Sequence, residues 1–359
     1  MQDEAITTEE VLLDRNGSAA VIRLNRPKAL NSINLPMVRT IRAALDEYAD
    51  DPSVSAVILT GEGGRAFCAG GDIRALFDMG KANHPDVTQF WREEFPLNYA
   101  ISRYPKPFVA LMDGITMGGG VGLSAHGRHR VVTERTRLAM PETGIGYFPD
   151  VGATWLLPKA PGEAGTWMGL TGLEISGADA LYTGLADACV SSERLGEFIE
   201  AIGALDADAG DEGVAAVIAA FSIDAGRSKL EHNRAVIDRC FHLDTVEEVL
   251  EALSREDDDF ARQTRETILG RSPTSLKLAL QLIRAGRGSS GLVECLEREF
   301  GAGEEILRHH DFYEGVRAAI IDKDRNPGWV PATLEEVQDA DIGRYLNGKH
   351  GTLFPDHRL

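Results

Sequence analysis

FVALMDGITMGGGVGL, residues 108–123, opens on a five-residue apolar block and ends among four glycines, Gly118, Gly119, Gly120 and Gly122. A short apolar run bounded by turn residues reads as a buried strand, and the glycines behind it predict a tight turn into a helix. The same arrangement stands upstream. VSAVILT (54–60) predicts a buried strand closed by Gly61 to Gly64, and AFCAGGD (66–72) a second glycine-rich turn ahead of Ile73, Leu76 and Phe77. Asp72 is the expected N-cap of the helix that follows. Two such turns facing each other could aim two N–H groups at one oxygen, which is what an oxyanion hole requires. Tight packing between elements is the other reading of the same glycines.

Working outward, Ala19 to Leu24 is a further strand, stopped by the turn Asn25-Arg26-Pro27. Val38, Ile41, Leu45 and Tyr48 recur at near-helical spacing, and Val131-Val132 and Leu138 to Met140 predict shorter strands. Beyond about residue 165 the strand signal fades. Val246, Val249, Leu250 and Leu253, and likewise Leu276, Ala279, Leu280 and Ile283, mark one face of a helix each. Ser272-Pro273 supplies the second with a cap and a proline at its first position. ALDADAGDEG (204–213) is small and acidic and is the best linker candidate. The expected organisation is α/β, with an α/β core over 1–203 and a helical C-terminal region over 204–359.

The chain has 359 residues, 43% of them hydrophobic, enough for a sizeable core. Its 37 basic and 56 acidic residues leave a net charge of −19, a surface that repels nucleic acid and anionic lipid. No apolar run is long enough to cross a bilayer. The first twenty residues are acidic where a targeting peptide would be basic, so a cytoplasmic location is expected. Cys68, Cys189, Cys240 and Cys295 lie far apart, which suits a reducing compartment. His126 with His129, and His309 with His310, lack a nearby third ligand, so no metal is expected.

MPETGIGYFPD (140–150) sets Glu142 and Asp150 among proline, glycine and bulky apolar residues. A carboxyl in such surroundings is partly desolvated, which raises its pKa and suits it to proton transfer or nucleophilic attack. The alternative is that each caps a helix. Glu94, in the helical-looking WREEF, reads by position as part of a solvated face. Ser124 is one residue out of place for a nucleophile elbow and is expected to be structural. Gly120-Val121-Gly122-Leu123-Ser124-Ala125 matches a dinucleotide fingerprint loosely, although its glycines stand too far from the strand's end.

Together these segments resemble the crotonase (enoyl-CoA hydratase/isomerase) superfamily, most closely its 3-hydroxyisobutyryl-CoA hydrolase branch. The resemblance rests on LNRPKALN (24–31), Ala66 to Asp72, Asp113 to Leu123, Met140 to Gly152, SPTSLK (272–277) and HDFYEGVRA (310–318). It implies a spiral of ββα units with C-terminal helices, the latter used for assembly into a homo-oligomer, and an acyl-CoA thioester as substrate. No separate cofactor is implied, CoA being part of the substrate. The oxyanion amides map to Gly71 and Gly119. Glu94 is implied to line the acyl pocket, while Lys28, Ala29, Asp72 and Ile73 hold the CoA portion, with Arg26, Arg65 and Arg74 as further candidates for its phosphates.

One departure separates the branches. Hydratases of the family use two glutamates, the first three residues beyond the oxyanion glycine, where this chain has Gly122; the second is present as Glu142. Hydration needs an acid and a base acting together, so the loss of one carboxylate argues for thioester hydrolysis with Glu142 and Asp150. A hydratase or isomerase acting on another acyl-CoA, and a catalytically silent acyl-CoA-binding subunit, are the alternatives.

Overall fold

In the computed structural model, residues 9–347 and 352–354 are described; of the acidic opening stretch, residues 1–8 lie outside them. The chain forms two compact units, each gathered from three stretches. The first comprises the chain up to Gly71, Pro96–Leu138 and Ile175–Arg227. The second comprises Asp72–Phe95, Ala139–Glu174 and the chain from Ser228 onward.

The first unit is built on strands. β1 (Val11–Asn16) pairs antiparallel with β2 (Ala19–Leu24), and β3 (Ala56–Gly61) lies parallel to β2. β4 (Ala66–Cys68) leaves this sheet; β5 (Phe108–Met112) returns to it beside β3, and β6 (Ile115–Met117) joins β4. β7 (His129–Val132) and β8 (Arg137–Ala139) repeat the step, and β9 (Ile175–Ser176) and β10 (Ala188–Cys189) complete the two sheets. The larger runs β1-β2-β3-β5-β7-β10 and the smaller β4-β6-β8-β9. Each of the pairs β3–β4, β5–β6 and β7–β8 thus sends one strand to each sheet. The helices Ile73–Lys81 and Gly119–Ser124 follow the first two pairs, giving the repeated ββα unit that the resemblance implied.

Strand β5 and the first four residues of β3 are apolar because parallel central strands are covered on both faces. Alternate residues of one face, Val21, Ile58, Val109, Leu111 and Val131, form a core with Phe198 and Ile202 of the helix Leu195–Gly203 and Val214 and Ile218 of the helix Gly210–Phe221. That last helix corrects the linker expectation in part: residues 204–209 do connect the helices Leu195–Gly203 and Gly210–Phe221, but 210–213 belong to the second of them. Gly210 to Gly213 are its first turn, where Asp211 and Glu212 suit the positive end of the helix dipole. The acidic composition marks a helix start. Strands β1, β4, β6, β9 and β10 add to those expected from the sequence; the last four are only two or three residues long and have no period to detect.

The second unit is helical. Ser272 caps Pro273–Gly286, its hydroxyl accepting from the Ser275 amide at 3.1 Å. Thr245 and Glu248 form a reciprocal capping box on Val246–Ser254.

Candidate active site

The two glycine turns meet within the first unit. Parallel pairing sets Ala66 beside Ile115 and Cys68 beside Thr116, so the turns after β4 and β6 leave the small sheet side by side. Gly70 has φ +103° and Gly118 φ +48°, left-handed conformations that favour glycine. A Cβ on Gly70 would stand 3.4 Å from the Met117 carbonyl oxygen and 3.7 Å from the Gly119 nitrogen. Gly119 is the first residue of the helix Gly119–Ser124, so its amide has no acceptor inside that helix. Gly120 and Gly122 sit within the helix and not in the strand-to-helix turn, which takes away the basis of the dinucleotide alternative. Ser124 is buried and donates to the Gly120 carbonyl at 2.7 Å, a structural bond.

The loop after β2 is tied to the first of these turns. The Ile33 amide donates to the Gly70 carbonyl (2.9 Å), and the Ala69 amide to the Leu30 carbonyl (3.0 Å). Asn31, fully buried at φ +57°, holds the loop: its Nδ2 donates to the carbonyls of Glu62 (2.9 Å) and Ala66 (2.8 Å), and its Oδ1 accepts from the Arg26 amide (2.9 Å). Asn31→Ala would leave these backbone groups without their partner. Destabilisation of about 3 kcal/mol is expected as a lower urea midpoint. Lys28 and Ala29 lie exposed on the short 3-10 turn Pro27–Ala29 that Asn31 fixes. Arg26 is engaged by Glu10 (3.0 Å) and the Ser32 carbonyl (2.7 Å), while Arg65 and Arg74 are exposed. Asp72 caps Ile73–Lys81, its Oδ1 accepting from the Ala75 amide at 3.3 Å, and Asp72 and Ile73 are half-buried.

The acids gather in the second unit. Glu142 and Asp150 are each 6% exposed and Glu94 only 2%. Glu142 opens the 3-10 turn Glu142–Ile145 without any side-chain cap bond, and the helix Ala153–Leu156 takes Gly152 as its N-cap, so neither acid serves as a cap. The solvated-face expectation for Glu94 is corrected: it falls on the buried stripe Trp91, Phe95, Asn98 and Ile101 of the helix Gln89–Ser102, at the i+3 and i+4 spacings of a packed face. Glu94 Oε1 and Glu142 Oε2 are buried without hydrogen-bond partners, which in a native structure calls for an explanation such as a role in chemistry. Tyr147 stacks between Phe148 (centroids 4.4 Å) and Trp91 (5.7 Å) and so lends this cluster an apolar wall.

Burial pushes Glu142 well above the usual carboxylate range, and the charge of Asp150 pushes it further. Burial and the charge of Glu299 do the same to Asp150. Glu94 is raised by burial and then by Asp150. Glu299, fully buried, is raised by burial to about 7 even though it accepts from Gly152 and Thr154. Acids so close cannot all be ionised together; one holds a proton while its neighbour is free to act as base or nucleophile.

The family model for enoyl-CoA hydratase/isomerase matches residues 19–346. This chain belongs to that family. Within it, the chain is 44% identical to the 3-hydroxyisobutyryl-CoA hydrolase, mitochondrial, of Rattus norvegicus over 94% of its own length and 89% of that protein's. It is 43% identical to the human protein of the same name, over 96% and 90%. Among solved structures, a carnitinyl-CoA dehydratase from Mycobacterium thermoresistibile superposes with a TM-score of 0.92 at 42% identity, covering 98% of this chain and all of that one. An enoyl-CoA hydratase from Rhodobacter sphaeroides gives 0.86 at 39%, covering 94% and 97%. The spiral of ββα units is therefore that of this family.

Three residues of these clusters carry no assignment from the sequence. Asn31 lies inside the quoted motif, and an asparagine closing a Pro-containing turn is a signal for a left-handed residue with local bonds. Tyr147 stands between the two acids but reads there as core. Glu299 gives no signal, because an acid within CLEREFGAGEE looks like any solvated helix position.

Proposed function

We propose that this chain hydrolyses a short 3-hydroxyacyl-CoA thioester, 3-hydroxyisobutyryl-CoA first among them, to the free acid and CoA, a step of valine breakdown. The observation that carries the reading is a pairing of loss and gain. The position of the first hydratase glutamate is Gly122, inside a buried helix, while Glu142 and Asp150 stand together as buried, strongly perturbed acids. The names of the mammalian relatives support the same activity.

In this mechanism the amides of Gly71 and Gly119 donate to the thioester oxygen as it gains charge, each worth roughly 3–4 kcal/mol in the transition state. Glu142, ionised, either attacks the carbonyl carbon to give a mixed anhydride or takes a proton from the attacking water. Collapse of the tetrahedral adduct breaks the C–S bond; Asp150 either holds the substrate's 3-hydroxyl or, the role favoured here, gives its proton in its acid form to the departing thiolate. In the anhydride route water then releases the acid. Glu94 meets the acyl chain, and the loop of Lys28 and Ala29 with the backbone of Asp72 and Ile73 holds the CoA portion.

The names of the two structural relatives keep hydration or dehydration as the second reading. One assay separates them: free thiol is followed with 3-hydroxyisobutyryl-CoA while crotonyl-CoA hydration is followed alongside. Thiol release at about 1–10 per second, with crotonyl-CoA untouched, is expected. Hydration without thiol release would overturn the hydrolase reading.

A further inference from the structure

We infer that Glu299 is a positioning residue for Asp150, fixing the turn behind it and placing a negative charge beside it. The inference rests on the reading of Asp150 as the acid that protonates the leaving thiolate. Two left-handed residues follow Asp150, Val151 at φ +53° and Gly152 at φ +81°. A β-branched residue in that region is a genuine outlier and persists only where its surroundings hold it. Glu299, reaching in from the helix Leu292–Ile306, ties down the residues that follow it. Its Oε2 accepts from the Gly152 amide at 2.7 Å; its Oε1 accepts from the Thr154 amide at 3.0 Å and from the Thr154 hydroxyl at 2.5 Å. A carboxylate 147 residues away in sequence thus caps the helix Ala153–Leu156, whose own N-cap, Gly152, has no side chain to do so.

Among the described residues no other side chain accepts these two amides, and a fully buried acid is a costly way to cap one turn of helix. Its charge explains the choice. Asp150 is surrounded by acids and an apolar wall: Tyr147 from its own segment, Glu142 from the neighbouring 3-10 turn, Glu94 from the helix Gln89–Ser102 and Glu299 from the helix Leu292–Ile306. Glu299 itself faces Thr154 and Gly152, the titratable Tyr147 and Cys295, and, more weakly, Arg298. After burial, the charge of Glu299 is the next cause that keeps the proton on Asp150. Burial pushes Glu299 up to about 7, so its charge grows as pH rises through neutrality and adds to what holds the proton on Asp150.

The test is the pH profile of kcat/KM for Glu299→Gln. Activity needs Asp150 protonated, so it falls as pH rises through the pKa of Asp150; removing the neighbouring charge lowers that pKa. The basic limb should move about one unit toward lower pH, with kcat on that limb down about tenfold and KM within threefold. Thr154→Val keeps the carboxylate and both amide bonds but removes the hydroxyl that favours its ionised form. It should move the same limb in the same direction by less. A basic limb that stays in place in Thr154→Val and in any folded Glu299→Gln overturns the proposal. A purely structural role would lower the melting temperature and leave the limb unmoved. The carboxyl of Asp150, titrated by difference infrared spectroscopy against Asp150→Asn, reads the same shift without substrate. If the native protein releases no thiol, the functional reading falls while this titration still decides the part played by Glu299.

Discussion

Glu142→Gln is expected to lower kcat for 3-hydroxyisobutyryl-CoA by about three orders of magnitude or more while leaving KM within about threefold. Glutamine fills the same volume and keeps a carbonyl oxygen, so the pocket and the affinity for the CoA ester survive. It can neither attack a thioester nor take a proton from water. The variant should also gain stability. The folded-state pKa of Glu142 is raised above its unfolded value, first by burial and then by Asp150. Such a group contributes stability that is complete below its unfolded pKa near 4.3 and is lost as pH rises through the folded value. Glutamine carries no such penalty. Its melting temperature should therefore match the native protein's at pH 4 and exceed it at pH 8. Higher stability with lost turnover is what a functional acid predicts, since a structural one would lose both. Activity within tenfold of native would remove Glu142 from the mechanism.

The different outcomes for Glu94, Glu142 and Glu299 bear on what a sequence can reveal. Glu142 is legible because its neighbours are proline, glycine and aromatics, a setting in which a carboxyl has little water whatever the fold. Glu94 is not, because the adjacent Arg92 and Glu93 suggest a wet face; the stripe Trp91, Phe95, Asn98 and Ile101, at helical spacing, is the better guide. Glu299 is out of reach in principle. Its meaning lies in bonds to Gly152 and Thr154, and no local pattern encodes a partner so distant in the chain. The glycine turns are legible for the converse reason. A strand, a glycine cluster and a helix are each local signals, and only the contact of Gly70 with Gly119 is not. The helix Gly210–Phe221 shows the cost of reading composition alone. Small acidic residues suggest a linker, yet Val214 and Ile218, just beyond that segment, carry the period of a buried helix that its last four residues begin.

Gly120→Ala is expected to cost about a hundredfold in kcat and about 2 kcal/mol in stability, a large penalty for one methyl group. An ideal Cβ at this position would lie 2.3 Å from the Cys68 carbonyl oxygen and 3.0 Å from the Cys68 Cβ. The nearest atom belongs to backbone in a strand paired with β6, so no side-chain rotation can make room. The start of the helix must withdraw from β4 instead, and the amide of Gly119 goes with it. An oxyanion donor acts only at hydrogen-bond range, and a shift near 1 Å is enough to forfeit most of its effect. Gly196→Ala is the control. Gly196 is likewise the second residue of its helix, Leu195–Gly203, but a Cβ there meets nothing within 4 Å. The same change at the same helical position should be neutral or stabilise by about 0.5–1 kcal/mol through helix propensity, with kcat unchanged. The KM for the CoA ester should stay nearly native in Gly120→Ala, because the lost interaction forms only as charge develops on the thioester oxygen. A rise in KM at native kcat would place Gly119 in substrate binding. Native activity in a demonstrably shifted helix would refute the proposed oxyanion role of Gly119.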